Sequence, residues 1–420
     1  MTGLRFAMFT TFYPPHNFGG DGIAIQRLAH ALARRGHEVV VVHDVDSYRM
    51  LAHAPAPPPR EEPAGIRVIR LHSPLGALAP LLTHQLGRPV VHGRRIRAIL
   101  DEGGFDVTMF HNVSLVGGPG LLSQGRGVTL YEAHEHWLVC PTHVLWRHGR
   151  EACTGRECLR CTLRQARPPQ LWRYTGYLDR QLAHVDAIIA KSEFSRSKHR
   201  EFGFGRDMEV IPYFLPDREP AGPEPTASPH GRPYFLFVGR LERIKGLDDV
   251  IPAWRQQSAA DLLIAGDGTH EPELRRLAEG ATNVHFLGRV APEALSRYYE
   301  HAVALVVPSV CYETFGIIVI EAFRQGTPVI ARRIGPLPEL IEQSGGGLLF
   351  GDARELLAAV RALAADAAAR ERLAGAARQA FRLNWTEDAV LPRYLDLISE
   401  TARRKGLRGV LDRLNTGSVA

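Results

Sequence analysis

The chain has 420 residues, 45% apolar and 23% charged, with 51 Lys and Arg against 45 Asp and Glu for a formal charge of +6. That length exceeds one ordinary core, so two domains are expected, and no run reaches the roughly 18 apolar residues a membrane-spanning helix needs. Only Lys191, Lys198, Lys245 and Lys405 are lysines; an Arg-, Ala- and Gly-rich composition raises the isoelectric point without marking a nucleic-acid surface, so no nucleic-acid partner is expected.

The chain opens with an apolar run, Leu4–Phe9, and a loop holding Pro14, Pro15, Gly19, Gly20 and Gly22. With no basic leader and no small-residue cleavage site, this start reads as a strand rather than a signal peptide, and a cytoplasmic protein is expected. The helical pattern "IAIQRLAHALARRG" then leads into "EVVVV", which makes a βαβ unit. Runs apolar on both faces belong to a parallel sheet covered by helices. Further strand-like runs fall at Ile66–Leu71, Val107–Phe110, Val128–Tyr131 and Ala187–Ala190.

The segment "PDREPAGPEPTASPHGRP" (216–233) carries six prolines in eighteen residues. No core element tolerates that density, so it reads as a linker or long surface loop. After it the rhythm restarts with "YFLFVGR", "DLLIAGDG", "NVHFLGRV", "AVALVVPS" and "TPVIARR"; beyond Asp352 the chain is helical in pattern. The fold class is α/β, two doubly wound Rossmann-like domains with a cleft between them. The expected division is 1–215, 216–385 and a helical tail, 386–420.

Chemistry concentrates at strand ends of the second half. In "VGRLERIKGLDD", Arg240 and Lys245 flank a helix entrance, a place suited to phosphoryl oxygens. In "PSVCYETFGIIVIEAF", Glu313 sits in the loop after a strand and Gly316 exposes main-chain N–H groups at a helix start. Glu321 lies five residues on, about 7.5 Å along the axis at 1.5 Å per residue. That separation suits two ends of one extended ligand, and carboxylates accept paired hydroxyls of a sugar or ribose. A capping acid plus a solvated one would give the same pattern.

These stretches resemble the E-x7-E motif and its companions in glycosyltransferase family 4, retaining enzymes of the GT-B fold. Gly19-Gly20, "AKSEFS", "VGRLERIKG", "AGDG", "FLGRV", "GTPVIA" and "GPLPELI" agree, over about residues 4–400. The resemblance implies that Arg240 and Lys245 bind the donor diphosphate. It implies that Glu313 and the main chain of Thr314, Phe315 and Gly316 hold the transferred sugar, that Glu321 holds the ribose, and that Gly19 and Gly20 border the diphosphate. It also implies a first-domain histidine near the sugar and acceptor: His134 in "LYEAHEHWLVCP" is the match, with His111 of "FHNVS" a second candidate. Glu135 replaces the family's frequent Asp, and His136 stands where an aromatic is common. The tail would return to the first domain. The expected activity is transfer of a sugar from a nucleotide-diphosphate donor to an acceptor hydroxyl of a glycan, lipid or small molecule. A phosphorylase or nucleotide-sugar epimerase on the same fold, or a metal-stapled binding module, are the alternatives.

Cys140, Cys153, Cys158 and Cys161 fall in the spacing C-x12-C-x4-C-x2-C. Four thiols ending in C-x2-C suggest a tetrahedral structural zinc, with an iron–sulfur cluster as runner-up. The loop 140–161 reads as polar and coreless, needing such a staple. Cys311, beside the donor loop, reads as a packing residue. Finally, "TARRKGLRGVLDRLNTGSVA" aligns Leu407, Leu411 and Leu414 on one helical face among basic residues. That face suits either packing on the protein or peripheral contact with the inner face of a membrane.

Overall fold

Period-two alternation sorts the apolar side chains of the first half into two cores. Phe6 and Met8 share one with Val39 and Val41, while Ala7 and Phe9 share the other with Val40 and Val42. The computed structural model, which describes residues 3–52, 56–216, 227–257 and 260–417, accordingly has a sheet buried on both faces. Its strands are β1 (Arg5–Phe9), β2 (Glu38–Asp44), β3 (Ile66–Leu71), β4 (Val107–Phe110) and β5 (Val128–Ala133). A two-stranded hairpin, β6 (Trp146–Arg147) and β7 (Glu151–Ala152), stands apart, and β8 (Ala187–Ala190) and β9 (Glu209–Val210) complete the sheet. The order is β3-β2-β1-β4-β5-β8-β9, with every pair parallel.

The second sheet holds β10 (Tyr234–Val238), β11 (Asp261–Ala265), β12 (Val284–Gly288), β13 (Leu305–Val307), β14 (Val329–Arg332) and β15 (Gly347–Phe350). Its order is β12-β11-β10-β13-β14-β15, again all parallel. Strand order reverses between β1 and β4 in one sheet and between β10 and β13 in the other. Ligands of open α/β sheets bind at such points, beyond the carboxyl ends of the strands. Residues 217–226 of the proline-rich segment lie outside the described residues.

Two helices, Ala353–Ala365 and Ala367–Asn384, follow the second sheet, each begun by an aspartate that accepts a main-chain N–H. The next, Glu387–Lys405, crosses to the first domain. There Val390, Leu391, Tyr394 and Ile398 join the core of Phe6 and Met8. The helix Arg408–Gly417 follows it, with Val410 buried and Leu407, Leu411 and Leu414 packed partly against that same core. Lys405 reaches Asp186 and the Gly127 carbonyl, both at 2.7 Å, and Arg413 pairs with Asp106. The tail therefore packs its leucine face partly against the protein, as the packing alternative expects. Among the described residues no helix is long and apolar enough to cross a membrane.

Candidate active site

The second domain supplies a charged floor. Lys245, in the turn after β10, donates to Glu313 Oε1 at 2.6 Å, and Ser309 Oγ donates to the same oxygen at 2.9 Å. Burial alone would raise the Glu313 carboxyl, but Lys245 and the Ser309 hydroxyl hold it below the ordinary glutamate range. Burial likewise disfavours the Lys245 ammonium, and Glu313 more than offsets it, so lysine stays charged. Arg240 pairs with Glu242 at 2.8 Å and leaves half its side chain exposed. Gly316, at φ 116°, takes a left-handed conformation that only glycine adopts easily, and it starts the helix Ile317–Gln325. Its Glu321 accepts from Tyr299 Oη at 3.2 Å and pairs with Arg27 of the first domain at 3.4 Å.

The first domain closes over this floor. A Cβ at Gly20 would lie 3.1 Å from Ile317 Cδ1, so the first turn of the helix Gly20–Arg34 sits almost against the helix Ile317–Gln325. Asp21, next in line, is driven above the usual carboxylate range first by burial, then by Glu135, with Arg240 opposing. Asn112 also reaches Asp21. Thr314 Oγ1 donates to the His134 carbonyl at 2.8 Å, and Ser192 Oγ donates to the Thr314 carbonyl at 2.7 Å. Glu339 accepts the main-chain N–H groups of Glu193 and Phe194, both at 3.0 Å, at the start of the first domain's helix Glu193–Glu201. Phe315 meets Tyr213 edge-on, ring centroids 5.5 Å apart.

Both ring nitrogens of His134 are taken, Nδ1 by Tyr213 Oη at 2.7 Å and Nε2 by His111 Nδ1 at 2.9 Å. Beneath them lies Glu132, its carboxylate 3.3 Å from His111 Nδ1 and accepting from Tyr394 Oη at 2.9 Å. Lys191, wholly buried, forms an ion pair with Glu132 and donates to Tyr394 Oη at 2.8 Å and to the Ile211 carbonyl at 3.3 Å. Burial would neutralise Glu132; Lys191 instead holds its carboxyl well below the ordinary range. Burial also pulls His134 well below its usual value, leaving a neutral imidazole. The structure thus brings together Gly19, Gly20, Lys245, Glu313, Thr314, Phe315, Gly316 and the main chain of His134. The rings of His134 and His111 belong to a network behind that wall. Asp21, Arg27 and Asn112 escaped sequence reading: two sit in an ordinary helical pattern and one in a loop, and only the fold aims them at the cleft.

The loop 140–161 departs from expectation. Leu145 and Trp146 are buried, and Val139, Cys140 and Leu145 share a core with Trp137 and Trp172, so burial does anchor it. The four cysteines line one small cavity with Pro141, Thr142 and Phe202. The His148 main-chain N–H and the Gln165 amide both donate to Cys161 Sγ at 3.2 Å. Burial, then neighbouring cysteines, raise the Cys153 and Cys158 thiols. A zinc tetrahedron with Zn–S near 2.3 Å sets sulfurs about 3.8 Å apart. Among the described residues, the metal-ligating groups whose atoms lie within 4.8 Å of one another are His111/Glu132/His134, His230/Asp261/His285 and Asp44/Asp46/His92, with no trio of these cysteines. The donor set and its N–H···S support fit zinc; the sulfurs as placed are more open than a closed site. In the first two trios the carboxylate already has a cation, Lys191 on Glu132 and Arg232 on Asp261. Cys311 is buried beside Glu313, its thiol pushed up to about 12 by burial and then by that carboxylate.

Two facing Rossmann-like sheets, with a charged pair at one switch point and a glycine turn at the other, define a GT-B protein. Residues 18–217 match the family described as Glycosyltransferase Family 4, and residues 232–366 match that described as Glycosyl transferases group 1. The chain belongs to glycosyltransferase family 4. It is 29% identical over 396 residues to glycogen synthase of Mycobacterium tuberculosis, covering 90% of each chain. It is also 29% identical over 448 residues to D-inositol 3-phosphate glycosyltransferase of Xylanimonas cellulosilytica, covering 97% of this chain and 99% of that one. The fold matches sucrose-phosphate synthase from Thermosynechococcus elongatus with a TM-score of 0.73 at 23% identity, over 94% of this chain and 98% of that one.

Proposed function

We propose that this glycosyltransferase transfers a sugar, with retention, from a nucleotide-diphosphate donor to an acceptor hydroxyl, in the cytoplasm. The observation that carries the reading is the Lys245–Glu313 pair beneath the Gly316 helix start, facing Gly20 and Asp21 across the cleft. Arg240 and Lys245 neutralise the departing diphosphate as the bond from the sugar's anomeric carbon to its oxygen breaks. The acceptor oxygen bonds that carbon on the same face and gives its proton to the leaving phosphate. Glu313 and the main-chain N–H groups at Gly316 orient the sugar, and Glu321, steadied by Tyr299 and Arg27, takes the ribose hydroxyls. His134 positions the donor loop, its carbonyl holding Thr314 and its ring locked by Tyr213 and His111. Cys140, Cys153, Cys158 and Cys161 would hold one structural zinc, a cross-link added to the burial that already anchors this loop.

Incubating the protein with a panel of nucleotide sugars and candidate acceptors tests this. Release of nucleoside diphosphate that requires an acceptor, with the product keeping the donor's anomeric configuration, is the expected result. Inverted product refutes retention, and diphosphate-free interconversion of the sugar nucleotide assigns an epimerase. Release of sugar phosphate assigns a phosphorylase.

A further inference from the structure

The helix Leu78–Leu86 presents the wrong face to solvent. Ala79, Pro80 and Thr83 are buried, while Leu78, Leu81, Leu82 and Leu86 point outward, Leu78 with 57% of its surface exposed. A surface helix ordinarily buries its large apolar residues and exposes its small or polar ones. The neighbouring turn extends the patch: Trp172 Nε1 donates to the His84 carbonyl at 2.9 Å, and Leu171 and Tyr174 beside it are 65% and 60% exposed. The helix Cys158–Arg164 adds Leu159 and Leu163, and its Cys158 lies within electrostatic reach of Tyr174. Exposed apolar surface on this scale marks a contact site.

Charge says what it contacts. Residues 63–100 contain six arginines and no acid, and residues 158–178 contain four arginines and no acid. Arg88, Arg94, Arg95, Arg160, Arg164 and Arg167 are exposed. A second copy of the chain would bring arginines against arginines across a two-fold axis. A nucleic acid would leave the leucines unsatisfied. We propose that this face docks the protein on an anionic lipid bilayer, its leucines at the acyl boundary and its arginines among the headgroup phosphates. His84 lies within electrostatic reach of His143, whose ring bonds Glu135 at 2.5 Å. The proposal concerns binding alone and stands whatever sugar is transferred.

Flotation of the full chain with phosphatidylcholine vesicles, with and without phosphatidylglycerol, tests it. The protein is expected to float only with the anionic lipid and to detach as salt rises. Leu78→Asp combined with Leu82→Asp is expected to lower partitioning at least about tenfold, because burial of those side chains is lost. Both side chains are already exposed, so circular dichroism and the melting temperature are expected to match the wild type. The milder pair Leu78→Ala and Leu82→Ala gives a smaller loss in the same direction. No flotation with anionic vesicles, or equal flotation of the aspartate variant, overturns the proposal. A concentration-dependent dimer that the aspartate pair abolishes, without flotation, assigns the face to a second copy and overturns it as well.

Discussion

Replacing Lys191 by methionine strips the ammonium from a fully buried position while keeping most of the stem's volume. Glu132, only 3% exposed at its side chain, then retains Tyr394 Oη and His111 but loses its counter-charge. Breaking a buried ion pair by removing one partner costs about 3–5 kcal/mol. For a cooperative unit of the first domain's size, each kcal/mol moves the melting temperature by roughly 2–4 °C, so a fall of roughly 6–20 °C is expected. Differential scanning calorimetry measures it. Lys191→Met combined with Glu132→Gln is expected to recover most of the loss, since no charge is then left buried. The sign with pH is definite. In the wild type Lys191 holds Glu132 low, so its stabilisation is present at neutral pH and is lost only as pH falls through that lowered value. In the variant, burial raises the carboxyl, so the deficit shrinks as pH falls and the group takes up its proton. A melting temperature within about 2 °C of wild type, against the several degrees expected from the same relation, refutes the reasoning. So does a deficit that widens toward acid.

Lys245→Ala is expected to lower kcat about 10²–10³-fold with the fold intact; near-native turnover would remove Lys245 from the diphosphate site. Gly20→Val would place a Cβ 3.1 Å from Ile317 Cδ1 and branch it further, so donor KM is expected to rise. An unchanged donor KM would mean that the first turn stands clear of the donor. Elemental analysis is expected to find about one zinc per chain, and Cys158→Ser to lose the metal and acceptor-dependent turnover while donor affinity persists. A brown, iron-containing protein assigns an iron–sulfur cluster instead, and metal-free active protein retires the metal.

The sheets were legible because their strands are buried on both faces, which leaves uninterrupted runs such as "EVVVV" and "YFLFV". β15 escaped because it begins with the last of three consecutive glycines, a pattern that reads as a turn. The charged floor of the second domain was legible too, since its residues cluster within two short loops, one around Lys245 and one around Glu313. The network behind it was not. Glu132, Lys191 and Tyr394 are separated by 59 and 203 positions and meet only because β5 and β8 are neighbours and the helix Glu387–Lys405 crosses back. The loop 140–161 reads as coreless because Leu145 and Trp146 are few; Leu145 is buried in a core with Trp137 and Trp172, which lie outside the loop.

The contacts that join donor loop to first domain mostly end on main-chain atoms. Thr314 reaches the carbonyl of His134, Ser192 the carbonyl of Thr314, and Glu339 two amide N–H groups. A backbone atom survives almost any substitution of the residue that carries it. The fastening on its first-domain side is therefore nearly indifferent to side-chain identity at 193 and 194, while the Ser192 hydroxyl and the locked ring of His134 still take part in it. Substitutions at 193 and 194 can accumulate without unhooking the loop around Thr314. A scaffold fastened in this way can change customers while keeping its grip on the goods.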